Sequence, residues 1–431
     1  MKYGLLVRLL SLLPDFPDEK KSGKNSIETM FEKIRSSIDS LDKAALGLCG
    51  NAGVFRLTPH KDIIVRDLLF PAFAMLRKQL NSLSAFVREL LEQVPAKDAE
   101  DPAVWELRSV LRRLDTIASI CSSFIEYREN SNDVAWIEKR SASASKDEPW
   151  AVFNITPIDI APSLKEALFE PSKTVVCVSA TLTTGVSEKT AFEYWKKRSG
   201  LCLVGERETL YGIFPSPFPY QSKVLLAAPG DAPLPTEQGY SDFVDTAVTA
   251  LTEISGGSAL VLFTSYQALK SACEAARPTL EKLGIRVLKQ GDDDRNRLLA
   301  GFLDDKNSVL FATDSFWEGV DAPGDTLRLV ILCRLPFRIP NDPVFEARCE
   351  ALESRGGNAF MDLSLPEAVM KFKQGFGRLM RRSSDYGSVV VLDGRLLKKQ
   401  YGAVFLRSLP ETKTCFGSLE KIIRTLEDFL F

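Results

Sequence analysis

The sequence predicts a parallel, doubly wound α/β sheet preceded by a hairpin of long helices. The observations behind this are apolar positions three and four residues apart through the first 140 residues, and short β-branched runs alternating with helical stretches after about residue 150. Most of those runs are apolar throughout, as strands covered by helices on both faces must be.

The helical elements come first. Phe73, Leu76, Leu80, Leu83, Val87, Leu90 and Val94 draw one apolar seam, and Val104, Leu107, Leu111, Leu114, Ala118, Cys121 and Ile125 draw a second. Between them Asp101-Pro102 offers a capping carboxylate and a proline at the first helical position. Two seamed helices with a short connection predict an antiparallel hairpin, with Cys121 in its core. The apolar run Tyr3–Leu13 is interrupted by Arg8 and precedes no small-residue cleavage site. It is too short to span a bilayer, so it reads as an amphipathic helix and no membrane partner is expected.

Seven runs read as strands: Thr174–Ser179, Lys223–Ala227, Ala259–Thr264, Arg286–Gln290, Ser308–Ala312, Leu327–Leu332 and Ser388–Leu392. Prolines 215, 217, 219, 229, 233 and 235 surround one of them and mark an interdomain connection near residue 215. Ser141–Ser145 reads as a loop.

Composition narrows the function. A chain of 431 residues, 45% hydrophobic and 26% charged, is an ordinary globular protein with material for more than one domain. Its 55 Lys+Arg against 57 Asp+Glu exclude binding to nucleic acid by bulk positive charge, though not by a local patch. The eight cysteines (49, 121, 177, 202, 273, 333, 349 and 415) contain no C-x-x-C pair, which favours reduced cytoplasmic thiols over disulfides or a compact metal site. His60 is the single histidine, which excludes chemistry needing two imidazoles.

Ligands of open α/β sheets bind beyond the carboxyl ends of the strands. Four such places carry suitable residues. Ser179-Ala180-Thr181 follows the first run, where hydroxyls serve either phosphates or an ordinary turn. Thr264-Ser265 opens a helix, as an anion site or a plain cap. Thr313–Gly324 gathers two hydroxyls, three carboxylates and two glycines, and clustered carboxylates repel unless they serve a ligand, cation or arginine. In Gln374–Arg382, helical spacing would place Gln374, Arg378 and Arg381 on one face, where guanidiniums match phosphate oxygens. The stretch Lys371–Lys399 holds eight basic and two acidic residues.

In this order and spacing these elements resemble the back half of a superfamily 2 helicase, and most closely the DinG/XPD family. Ser179-Ala180-Thr181 resembles motif III, Leu260–Tyr266 motif IV, Thr313–Asp321 motif V with the family's Phe-Trp-Glu-Gly-Val-Asp run, and Gln374–Arg381 motif VI. The likeness extends from about Pro157 to Pro410. It implies ATP and Mg²⁺ as cofactors and single-stranded or forked DNA as partner. Arg378 and Arg381 would be arginine fingers supported by Gln374. Glu318, Gly319 and Asp321 would face the nucleotide, while Thr264, Ser265, Thr313 and Ser315 face the nucleic-acid backbone. Ser179 and Thr181 would couple nucleotide state to strand movement. Residues 1–140 would form an arch-like helical insertion, 141–215 a remnant of the first RecA-like domain with motif III, and 216–431 the complete second RecA-like domain.

Two family parts have no counterpart. No stretch reads G-x-x-x-x-G-K-[ST], the loop that cradles phosphates, and no DEAH-type box precedes the hairpin. Family cysteines that bind an iron–sulfur cluster would also fall upstream, so no cluster is expected in this chain. The sequence resembles a helicase that begins past its DEAH box: a shortened product, a broken gene, or one half of a split enzyme needing an N-terminal P-loop half in cis or in trans. Alone it is expected not to hydrolyse ATP. The competing readings are a nucleic-acid-binding or regulatory module that kept the fold without ATPase activity, and a metabolic α/β enzyme with a phosphate-bearing substrate.

Overall fold

The computed structural model describes residues 4–12, 23–58, 62–127, 132–141, 148–184, 191–205, 207–313, 316–317, 322, 324–338 and 341–431. The chain divides into two compact units, residues 1–159 with 341–348, and residues 160–340 with 349–431.

The first unit contains α1 (Gly4–Leu12), α2 (Gly23–Cys49), β1 (Val54–Arg56), α3 (Asp62–Leu68), α4 (Phe70–Glu92), α5 (Pro102–Glu126), β2 (Asp133–Arg140) and β3 (Trp150–Pro157). Helices α4 and α5 are the expected hairpin. Phe73 near the start of α4 stacks on Phe124 near the end of α5, 4.9 Å between centroids, which requires antiparallel helices. The Asp101 carboxylate accepts the Ala103 N–H at 2.7 Å and caps α5. Five of the seven expected seam residues of α5 are buried; Val110 and Phe124 are buried too, while Leu111 and Ile125 pack half-buried against the same core, so the apolar stripe is wider than a single heptad seam. Cys121 lies in this core, and burial pushes its thiol up to about 11. The helical reading of the first 140 residues missed an antiparallel sheet, ordered β1-β2-β3, whose Phe153 meets Phe73 edge-on at 5.1 Å.

The second unit continues with α6 (Ala161–Leu164), α7 (Glu193–Ser199), α8 (Tyr220–Lys223), β4 (Val224–Pro229), α9 (Tyr240–Ile254), β5 (Ala259–Leu262), α10 (Tyr266–Lys282), β6 (Arg286–Lys289), α11 (Arg295–Asp304), β7 (Ser308–Ala312) and β8 (Leu329–Leu332). After α12 (Pro343–Glu353), which runs across the boundary, come α13 (Leu365–Phe376), β9 (Gly387–Val391), α14 (Arg395–Lys398), α15 (Gly402–Arg407), β10 (Lys413–Gly417) and α16 (Leu419–Leu430). Seven strands form one parallel sheet in the order β10-β4-β9-β8-β5-β7-β6. Alternate residues of the strands other than edge strand β10 enter opposite cores. Leu260 and Leu262 meet Phe302, Phe372 and Phe405 on one face, whereas Val261 and Phe263 meet Val248, Leu269 and Ile422 on the other. This is the doubly wound α/β sheet that the sequence predicted.

Six of the seven expected strands form, within a residue or two at their ends. Thr174–Ser179 does not: it joins no ladder, and Val176 and Val178 are 80% and 88% exposed. β propensity reflects fit to neighbouring strands, and no described residue supplies one here. β10, which the sequence reading passed over, is an edge strand whose single buried residue, Cys415, leaves no apolar pattern. All eight cysteines are free thiols. Among the described residues, no helix is long and apolar enough to cross a membrane.

Candidate functional site

The carboxyl ends of β5, β7 and β6 lie side by side and are joined by side chains. Beyond β5, Ser265 caps α10, its Oγ accepting the Ala268 N–H at 3.3 Å, so the cap reading of this hydroxyl holds. A capping oxygen still carries its own proton and can donate it. Thr264 beside it is half-buried. Beyond β7, Thr313 donates its N–H and its hydroxyl to Gln290 Oε1, at 2.7 and 3.0 Å. The Phe316 N–H returns to Thr313 O at 2.9 Å and turns the chain inward, so that Phe316 and Trp317 are completely buried. Ser315, Glu318, Gly319 and Asp321 lie outside the described residues, as do His60 and residues 142–145 of the expected loop.

Trp317 joins three elements. Its indole N–H donates to the Phe263 carbonyl at the end of β5, at 3.3 Å. Its ring packs on Gly375 of α13, where a Cβ would stand 2.7 Å from Cζ3. Lys371, one turn earlier on α13, places its ammonium 5.7 Å from the ring centroid. The glycine beside Gln374 is therefore a packing requirement, which a solvated basic face would not need.

Helix α13 ends at Phe376, one turn short of the expectation. Gln374 is helical, but Arg378 and Arg381 lie in the turns beyond, so the three do not share one helical face. The reason is local. Leu379 and Met380 are buried, which pulls the chain off the helical path. Asp385, 3% exposed, then accepts the N–H groups of Arg381 at 2.8 Å, Arg382 at 2.7 Å and Gly324 at 3.1 Å. One buried carboxylate thus holds the arginine turn against the far end of the Thr313–Gly324 loop. The Arg378 guanidinium folds back so that Nε donates to Gln374 O at 3.1 Å, and both arginines are half-buried. Near Arg381, burial pushes the Tyr220 phenol up, and the Arg381 charge acts against that rise.

The basic stretch is partly spent inside the fold. Lys373 donates to Thr183 O at 3.0 Å and Thr183 Oγ1 at 3.2 Å, and burial holds its pKa below the ordinary lysine value. Arg395 forms a two-pronged pair with buried Asp393, at 2.9 and 2.6 Å, and Asp393 also accepts the Leu335 N–H at 2.8 Å. Lys398 donates to Ala232 O at 2.7 Å. The Lys373 contact brings the Ser179–Thr183 loop to α13, and Tyr194 of α7 separately donates to Glu367 of α13 at 2.9 Å. Within the loop Ser179 Oγ accepts the Thr181 N–H at 3.2 Å, an ordinary hydroxyl turn. Gln290, Lys373 and Asp385 were not singled out as site residues by the sequence reading. Only Gln290, a polar residue closing a strand, carried a local signal. Among the described residues no group of metal-ligating side chains is present.

Beside this α/β sheet, with hydroxyl-bearing loops at its carboxyl edge and an arginine turn joined to them, stands a family match: residues 248–412 match the family model described as a helicase C-terminal domain. The ATP-dependent DNA helicase YoaA of Haemophilus influenzae is 30% identical over 370 residues, covering 85% of this chain and 53% of the relative. YoaA of Escherichia coli is 37% identical over 256 residues, 59% of this chain and 38% of the relative, and the ATP-dependent DNA helicase DinG of Photobacterium profundum is 32% identical over 349 residues, 78% and 49%. The solved structure of S. tokodaii Xpd4 covers 90% of this chain and 70% of its own at 15% identity, with a TM-score of 0.46. The chain carries a helicase C-terminal domain and is similar to the DinG and YoaA helicases. It spans about half the length of the curated relatives it matches.

Proposed function

We propose that the chain is the C-terminal part of an ATP-dependent DNA helicase that couples ATP hydrolysis to movement along single-stranded DNA. Residues 216–431 act as the second RecA-like domain, 141–215 as the end of the first, and 1–140 as an arch-like insertion enclosing the strand. Thr264, Ser265, Thr313 and Ser315 contact the DNA backbone. Glu318, Gly319 and Asp321 face the nucleotide. Arg378 and Arg381, supported by Gln374, stabilise the charge that develops on the transferred phosphoryl group, a contribution worth roughly 10³–10⁵ in rate where such fingers operate. Ser179 and Thr181 relay the nucleotide state. The phosphate cradle and the Mg²⁺ ligands come from a P-loop half, in cis or in trans.

The observation that carries this reading is the Trp317 joint. One buried indole fixes the strand end bearing Thr264, the loop after Thr313 and the helix bearing Gln374. Groups read as touching DNA and groups read as touching nucleotide therefore belong to one rigid assembly, as a motor requires and a passive binding module does not.

The test is fluorescence anisotropy of a labelled oligothymidylate across a salt series, with and without Mg-ATP, alone and with the P-loop-bearing half of a relative. Binding should weaken with salt, because phosphate contacts release counterions. A nucleotide effect should arise only with the P-loop half present. Salt-dependent binding indifferent to nucleotide in every mixture would instead identify a binding module, and no binding at low salt would refute both.

A further inference from the structure

We infer that Gln290 is a positioning residue for the nucleic-acid end of the sheet, setting Thr313 before a strand arrives. The inference rests on the reading of Thr313 as a DNA-backbone contact. Gln290 is the first residue beyond β6, and its N–H donates to Phe311 O at 2.9 Å, closing the β6–β7 pairing. Its side-chain oxygen takes both donors of Thr313. A backbone N–H can only donate, so the oxygen end of the amide faces Thr313. On the β5 side, the Tyr266 hydroxyl donates to the Gln290 carbonyl at 2.8 Å. The next residue, Gly291, has φ +100°, and a Cβ there would stand 2.5 Å from the Tyr266 hydroxyl. Left-handed backbone and lack of room both call for glycine at that point. One residue thus ties the ends of β5, β6 and β7 together.

The two bonds from Thr313 differ in kind. The N–H is fixed in the chain, whereas the hydroxyl rotates. A phosphate oxygen offers the hydroxyl a charge-assisted partner, shorter and stronger than a neutral amide. The hydroxyl therefore transfers to the phosphate while the N–H stays on Gln290. Holding Thr313 in place beforehand removes an ordering cost from binding.

A double-mutant cycle with Gln290→Met and Thr313→Val tests this by oligothymidylate anisotropy, with hydrogen exchange of the Thr313 amide as a second readout. Gln290→Met leaves a nearly buried N–H without its acceptor and should weaken binding about tenfold. Thr313→Val should weaken it comparably, and the double variant no further. Gln290→Met should also speed exchange at Thr313, while Gln290→Glu, which keeps an acceptor in place, should leave exchange slow. Full binding by Gln290→Met beside weakened Thr313→Val, additive losses in the double variant, or fast exchange in Gln290→Glu would each overturn the inference. Unchanged binding by Thr313→Val would instead remove the reading of Thr313 as a DNA contact, and the inference with it.

Discussion

Gly375 sets how near α13 can come to the Trp317 ring, and two opposing effects bear on it. Alanine is favoured over glycine inside a helix by about 1 kcal/mol. Against that, the added methyl would stand 2.7 Å from Cζ3 and 2.8 Å from Cε3 of a completely buried indole, with Leu332 Cδ2 at 3.3 Å behind it. Overpacking of a tight core costs about 1–3 kcal/mol, so strain wins. Gly375→Ala should lower the urea midpoint of the second unit and red-shift Trp317 emission as the indole leaves its site. A variant as stable as the parent would mean that the ring has room the geometry denies. Sequence reading singled out Gln374, Arg378 and Arg381 because their spacing would align an amide and two guanidiniums suited to phosphate oxygens. It set all three on one helical face because nothing local announces that Leu379 and Met380 turn inward. Asp385 was illegible for a related reason. Its worth lies in three backbone N–H groups that only the folded chain assembles.

Elements were legible where one segment's pattern decides its structure. The seams of α4 and α5 and the continuous apolar run Ser308–Ala312 belong to this class. Elements that depend on a partner were not. Thr174–Ser179 has the composition of a central strand and joins no ladder, while polar β10 joins the sheet because β4 offers an edge, Lys413 to Gly417 pairing with Leu225 to Pro229. Strand β2 was missed because its buried residues, Val134, Ala135 and Ile137, do not alternate strictly. The hairpin allows a quantitative check. Leu83 is completely buried within the helical core of the first unit, so Leu83→Ala should cost that unit about 2–5 kcal/mol. Hydrogen exchange read separately on α4 and β4 should show the loss in α4 alone, because the cores are distinct clusters. An equal loss in β4 would show the units unfolding together, contrary to this expectation.

For the whole molecule the decisive quantity is what these arginines can do unaided. An arginine finger acts on a nucleotide already held, with its terminal phosphate, metal and attacking water in line, and its large rate factor multiplies that pre-existing geometry. Nothing in this sequence reads as the phosphate-cradling loop, and the net charge of −2 gives ATP no bulk attraction. Of the local basic stretch, Lys373, Lys398 and Arg395 are already engaged within the fold. With Arg378 and Arg381 in the proposed finger role, the rate factor has almost no bound complex to multiply. Purified chain should release phosphate from Mg-ATP no faster than buffer, with or without oligothymidylate. Adding the P-loop-bearing half of a relative should create DNA-stimulated turnover, and Arg378→Ala should remove it while leaving salt-dependent DNA binding in place. Turnover by the chain alone, abolished by Arg378→Ala, would mean that the phosphate site is built from residues of this polypeptide, and the division of labour proposed for the two halves would fall.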